Sequence, residues 1–194
     1  MKLNIKKVAL FGTSADPPTI GHKKILEKLA GIHSNVITYA SNNPSKKHKE
    51  NLFFRSLLLK TLIDEIDNPK ILFNKEISSP WAIESIKKCK KFYNFDQIEF
   101  VIGSDLISDI FLWKNIDQIF QEVKLIIIKR EGYPIKSDIL ELINANKGIF
   151  EISSFTIPEI SSSMIRLETQ YSYLPKSLIE IVKKNNLYNS SKIV

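Results

Sequence analysis

The chain has 194 residues, 28 Lys and Arg against 21 Asp and Glu, a formal charge of +7, a single cysteine and 43% hydrophobic residues. That length suits one domain, since domains run about 100–200 residues, and a single unit over residues 1–194 is expected. Cys89 alone excludes an intramolecular disulfide and a cysteine-based zinc knuckle. No apolar run approaches the ~18 residues of a membrane span, and MKLNIKKVALFGTS lacks the apolar core and cleavage site of a secretory leader. A soluble, cytoplasmic protein with a packed core is expected, with no membrane partner.

In chain order, Val8 to Phe11 is a short apolar run stopped by Gly12, the profile of a buried strand. Ile20 to Leu29 reads as a helix, and the β-branched and aromatic run Val36 to Ala40 as a second strand. A polar loop, Ser41 to Lys49, precedes a helix from Asn51 to Ile66 with leucines and isoleucines at helical spacing. Ile71 to Phe73 is a third strand, Trp81 to Tyr93 a third helix, and Ile98 to Ile102 a fourth strand ended by Gly103. Leu106 to Gln121 is helical in parts and breaks near Trp113; Val123 to Ile128 is a fifth strand, Asp138 to Asn144 a short helix, and Ile149 to Ile152 a sixth strand. Two last helices begin near Ser161 and Pro175. Strands alternating with helices predict a doubly wound, Rossmann-like α/β fold, with a mainly parallel sheet of five to six strands covered on both faces. Ligands of such sheets bind beyond the carboxyl ends of the strands. The candidate loops are therefore 12–22, 41–49, 103–113 and the segment from Arg130 onward.

The positive charge is dispersed. Its densest groups, Lys46-Lys47-His48-Lys49 and Lys87-Lys88-Cys89-Lys90-Lys91, are short, and the second sits on a predicted helix as a solvated face. A nucleic-acid partner is not expected, because no basic stripe runs along the chain. The 28 basic residues include only three arginines, Arg55, Arg130 and Arg166. In a chain so biased toward Lys, an Arg marks a place where planar, bidentate recognition matters.

Two segments carry chemistry. Gly12-Thr13-Ser14-Ala15-Asp16-Pro17-Pro18-Thr19-Ile20-Gly21-His22 leaves a strand and enters a helix, which puts free backbone N–H groups where a phosphate can sit. Thr19 can cap the helix or offer its hydroxyl to a phosphate, Gly21 permits close backbone approach, and His22 can donate to an oxyanion. The plain alternative is a capped helix with an incidental histidine. Far downstream, Ile160-Ser161-Ser162-Ser163-Met164-Ile165-Arg166 reads as a helix start with three hydroxyls and an Arg one turn in. Such a terminus attracts anions through its orphan donors and partial positive charge; the alternative is a serine cap on an amphipathic helix.

Together these segments resemble the nucleotidyltransferase superfamily, whose signatures are a T/H-x-G-H tetrapeptide after an aspartate-proline loop and a later I-S-S-x-x-I-R motif. Within it the chain is similar to bacterial nicotinate-nucleotide adenylyltransferases. Gly103-Ser104-Asp105 with Trp113 resembles the family's G-x-D segment and downstream Trp, and Arg130-Glu131-Gly132-Tyr133 its R-x-G-Y segment. Asn43-Pro44 through His48-Lys49 loosely matches its P-x-x-P-P-H-K loop, Arg55 falls where the family carries an Arg on the next helix, and Leu174 to Tyr188 resembles its closing helix. There are departures: the family's G-G-T-F-D-P loop loses its second Gly and its Phe here, and its Y-T-x-x-T segment is Trp81-Ala82-Ile83-Glu84-Ser85, without the first threonine hydroxyl.

The resemblance implies adenylyl transfer from ATP to nicotinate mononucleotide, giving deamido-NAD and pyrophosphate in NAD biosynthesis. It implies Thr19, His22 and Arg166 as the catalytic set. ATP would be held by Gly12, Thr13, Ser14, Thr19, Gly21, His22, Gly103, Asp105, Ile160, Ser161, Ser162, Ser163 and Arg166. The acceptor would meet Asp16, Asn43, His48, Lys49, Ala82, Trp113 and Arg130, with the pyridine ring stacked on Trp113 unless that residue belongs to the core. Mg²⁺ is expected to arrive with ATP, and no protein metal cage is expected. The last helices, from about residue 161, would complete the ATP site and close the fold. Rival readings are another adenylyl- or cytidylyltransferase, acting on nicotinamide mononucleotide or phosphopantetheine, and a nucleotide-binding regulator without turnover. Arg55 reads equally as functional or as a structural ion pair, and the sequence does not indicate an oligomeric state.

Overall fold

The computed structural model describes residues 7–168 and 171–188. Its framework is one sheet of six strands in the order β3-β2-β1-β4-β5-β6, every pairing parallel. The strands are β1 (Lys7–Thr13), β2 (Asn35–Ala40), β3 (Ile71–Phe73), β4 (Gln97–Gly103), β5 (Lys124–Arg130) and β6 (Ile149–Ile157). The helices are α1 (Ile20–Ile32), α2 (Leu52–Ile66), α3 (Ala82–Phe92), α4 (Ile116–Glu122), α5 (Ser137–Ala145), α6 (Ser162–Glu168) and α7 (Lys176–Lys184). Short 3₁₀ segments cover Lys75–Ile77, Ser104–Leu112 and Tyr171–Tyr173. No helix among the described residues is long and apolar enough to cross a membrane.

Alternating side chains of the central strands feed two cores, which is why those strands read as unbroken apolar runs. Leu10, Ile37, Phe100, Ile102 and Leu125 face one side, with Ile83 and Ile86 of α3 and Ile119 of α4. Ala9, Phe11, Val36, Val101 and Ile126 face the other, under Leu26 and Leu29 of α1 and Leu59 and Leu62 of α2. A third cluster joins Leu58 of α2 to Ile165 of α6 and to Leu178 and Val182 of α7, so the closing helices pack on α2 rather than on the sheet.

Three boundaries differ from expectation. The first half of the 106–121 segment is a 3₁₀ helix from Ser104 to Leu112, separated from α4 by Asn115 in a left-handed conformation (φ 56°). Trp81 is the N-cap of α3 rather than its first residue. The sixth strand runs on to Ile157, because a register shift opposite Ile127–Lys129 lets it resume pairing after two extra residues. Ser153 makes that shift tolerable: its hydroxyl accepts from the Lys129 N–H (3.0 Å) and donates to the Phe155 carbonyl (2.6 Å). The extension carries residues 157–160 to the carboxyl end of β5. Strand order reverses direction between β1 and β4, and at such a switch point the loops diverge and leave a crevice.

Candidate active site

The crevice is a cleft of about 840 Å³ at the carboxyl ends of the strands. Most of the residues singled out in the sequence line it: Gly12, Thr13, Ser14, Thr19, Gly21, His22, Asn43, His48, Ala82, Gly103, Asp105, Trp113, Arg130, Ile160, Ser161, Ser162, Ser163 and Arg166. Asp16 and Lys49 do not. Asp16 is 2% exposed, and its carboxylate accepts the backbone N–H groups of Lys49 (2.6 Å) and Glu50 (3.2 Å). These bonds tie the loop after β1 to the loop after β2 through the Lys49 backbone, and leave the Lys49 side chain exposed.

The start of α1 explains the T-x-G-H pattern. Thr19 caps the helix, its hydroxyl accepting from Gly21 N–H (3.2 Å) and, more weakly, from His22 N–H (3.4 Å). In return His22 Nδ1 accepts from the Thr19 N–H (3.0 Å) and lies 2.9 Å from the Thr19 hydroxyl. A backbone N–H can only donate, so Nδ1 is the bare nitrogen and the proton of the neutral ring sits on Nε2. Nε2–H meets no protein acceptor among the described residues and remains for a ligand. The Thr19 hydroxyl is fully used by this box and Thr19 is 0% exposed. These bonds hold the histidine ring in place at the edge of the cleft. Gly21 keeps the cap open, since an added Cβ would stand 3.2 Å from the Thr19 hydroxyl.

Burial, and secondarily the positive charge of Arg130, lowers the His22 pKa to about 4. The unfolded chain's imidazole protonates near 6.5, so the folded form binds fewer protons between these values. The resulting contribution to stability is complete above pH 6.5 and is lost as pH falls toward 4. A phosphate beside Nε2 stabilises the cation and raises the value. A ring-proton NMR titration of His22 is expected to show a midpoint near pH 4 in the free protein and a higher one with ATP bound. A free midpoint at 6.5 would contradict this arrangement.

The three arginines divide their work. Arg166 spans from α6 to the first loop, donating to the Asp16 carbonyl (2.6 Å) and the Ser163 hydroxyl (2.8 Å), with the Asp16 carboxylate at 3.9 Å. Ser162 ties the same loop by donating to the Pro17 carbonyl (2.8 Å), and Ser161 accepts from Met164 N–H. Arg130 pairs with Asp105 (2.9 Å), donates to the Ile160 carbonyl (2.9 Å) and lies over the Tyr133 ring at 5.5 Å. Arg55 is outside the cleft and 1% exposed; its guanidinium donates to the carbonyls of Glu50 (3.1 Å), Ser14 (2.8 Å) and Ser41 (2.6 Å). The open question about Arg55 resolves as a carbonyl clamp between the two loops.

Two glycines expected at the ATP site are also crowded by neighbouring side chains. A Cβ on Gly12 would fall 2.6 Å from the tip of the buried Tyr39 ring, and one on Gly103 would collide with the Asp105 carboxylate. Trp113 packs edge-on against Phe100 (6.3 Å, 84°) and lines the cleft. Of the other cleft residues, Lys46 and Lys47 fall within the expected 41–49 loop, whereas Tyr39, Trp81, Ser85 and Lys114 lie outside the expected loops. Lys46 and Lys47 were visible as a basic cluster and Trp81 as an aromatic before a helix. Lys114 carried no signal in a chain with this many lysines. Among the described residues no group of three or more His, Cys, Asp or Glu is arranged to hold a metal.

The fold and this cleft define a doubly wound α/β protein with donors fixed at its switch point. The chain belongs to the cytidylyltransferase-like family, whose profile matches residues 10–168. It is 29% identical over 195 residues to the nicotinate-nucleotide adenylyltransferase of Bacillus subtilis, covering 96% of this chain and 100% of that protein. In fold it is similar to the Plasmodium falciparum nicotinic acid mononucleotide adenylyltransferase complexed with NaAD, with TM-score 0.76, 23% identity and coverage of 94% and 97%. The same parasite enzyme complexed with APC gives TM-score 0.74 at 24% identity, with the same coverage.

Proposed function

We propose that the chain, acting as one domain, transfers the adenylyl group of ATP to nicotinate mononucleotide, releasing pyrophosphate and forming deamido-NAD. The observation that carries this reading is a single cleft joining an imidazole donor fixed at the start of α1 to an aromatic wall of Trp81 and Trp113. The full-length similarity to proteins named for this reaction supports it. A phosphate oxygen of the mononucleotide attacks the α-phosphorus of ATP, the bond to the bridging oxygen of the β-phosphate breaks, and pyrophosphate leaves with that electron pair. No protein nucleophile is needed; the work is alignment and neutralisation of developing charge.

In this reading His22 Nε2–H donates to the α-phosphate, and Arg166, released in part from the first loop, meets the β- and γ-phosphates with the backbone at Ser161–Ser163. Lys46, Lys47 and His48 reach the acceptor phosphate from the loop after β2. The Nε2 of His48 is buried without a hydrogen-bond partner, which suits a group awaiting a ligand. Mg²⁺ enters as part of the ATP substrate, held by phosphate oxygens and water. A cytoplasmic setting, and action on small molecules rather than nucleic acid, belong to the same proposal. The test is pyrophosphate release from ATP and Mg²⁺ with nicotinate or nicotinamide mononucleotide as acceptor. Turnover favouring nicotinate is expected. Preference for the amide would keep the chemistry and change the acceptor; nucleotide binding without pyrophosphate release from either would favour a regulator.

A further inference from the structure

We infer that Lys114 reads the charge on the acceptor's pyridine ring and so sets the preference for a carboxylate over a carboxamide. The inference rests on the nicotinate reading and deepens it. Donors for phosphate gather at α1, α6 and the loop after β2, which leaves the wall of Trp81 and Trp113 for an aromatic ring. On that wall Ala82 presents a methyl group only. Lys114 follows Trp113 in the turn before α4, and its ammonium lies 5.1 Å from the centroid of the Trp81 ring. It therefore stands at the rim of the surface against which a pyridine would stack.

The ammonium has bonding capacity to spare. Its one ion-pair partner among the described residues is Glu84, at 3.8 Å and itself 42% exposed, beyond hydrogen-bonding reach. The other arginine side chains of the cleft are engaged, and its other lysines come from a different loop. Arg130 is paired with Asp105, Arg166 is bound to Asp16 and Ser163, and Lys46 and Lys47 belong to the loop after β2. Asp109 also lines the cleft and adds a negative charge that disfavours an anionic ring unless a cation offsets it.

A second observation points to a polar group on the ligand. Ser85, one turn beyond Ala82, lines the cleft and is 1% exposed, and its hydroxyl faces that of Tyr39 without a hydrogen bond that satisfies it. A buried hydroxyl left this way calls for a partner. Because a hydroxyl both donates and accepts, Ser85 accommodates an acid or an amide alike. Lys114 only donates and carries a positive charge, so it favours the acid over the amide and offsets Asp109.

The experiment measures kcat and KM for pyrophosphate release with each mononucleotide, using wild type, Lys114→Ala and Lys114→Arg. Lys114→Ala is expected to cut the nicotinate-to-nicotinamide ratio of kcat/KM about tenfold, the order of one charge-assisted hydrogen bond, with the loss in KM rather than kcat. Lys114→Arg is expected to restore most of the ratio. An active wild type whose preference survives Lys114→Ala, or a loss equal for both acceptors, overturns the inference and leaves the adenylyl-transfer reading standing. A wild type that turns over neither acceptor overturns that reading and this inference with it.

Discussion

Alanine at His22 is expected to lower kcat by about 10²–10³-fold, the usual cost of deleting one preorganised oxyanion donor, while the protein stays folded. The size follows from the ring's role in the proposed reaction. Nε2–H is held by the Thr19 box before substrate arrives, so little reorganisation is needed as charge develops on the α-phosphate. Alanine also removes the acceptor for the Thr19 N–H, at about 0.5–2 kcal/mol of helix-cap stability. His22→Asn separates the two effects. Its side-chain oxygen can stand in for Nδ1 and keep the box, while nothing replaces Nε2–H. Melting temperature close to wild type with kcat as low as in the alanine variant is expected from His22→Asn. Near-normal turnover in that variant would remove His22 from the proposed mechanism. A loss that merely tracks lowered stability would reduce it to a capping residue.

The same box shows how far sequence reasoning reached. A strand ending at Gly12 and a helix opening at Thr19 were legible because both depend on local signals, apolar runs and cap chemistry, that the chain carries within ten residues. The alternation of strands and helices likewise gave the parallel sheet and hence the edge on which the cleft lies. What local pattern could not decide was how each polar group spends its bonds. Thr19, Asp16 and Gly12 were singled out from one loop, and the fold adds partners the pattern does not show: His22 for the first, two backbone N–H groups for the second, and Tyr39 across the β1–β2 pair for the third. Those partners lie 3 to 34 residues away, and only the folded chain brings the distant ones together. The end of β6 escaped for a related reason. Ser153 and Ser154 look like a strand terminus, and the hydroxyl that bridges the register shift acts on Lys129 of the neighbouring strand.

Arg55 is where sequence left two readings level and the fold separates them by counting hydrogen bonds. Its guanidinium serves three carbonyls, from the loop after β1, the end of β2 and the residue before the α2 cap, and the buried Asp16 carboxylate adds favourable charge. Removing it strands three carbonyl acceptors and takes a favourable charge away from the buried Asp16 carboxylate, which keeps its two backbone N–H donors. Arg55→Ala is therefore expected to cost about 3–5 kcal/mol, the range for breaking a buried charged network from one side. That is a large part of the ~5–15 kcal/mol that holds a typical domain together. Urea unfolding should show the midpoint falling steeply, with little soluble protein at 37 °C. Arg55→Lys keeps the charge but has a single nitrogen to offer, so it cannot span carbonyls on three segments with good geometry. An intermediate loss of stability is expected there, together with a raised KM for the mononucleotide, because Ser14 and Ser41 both line the cleft whose loops the clamp holds. If Arg55→Lys matched wild type in both unfolding and KM, charge alone would account for this position and the clamp would carry no weight.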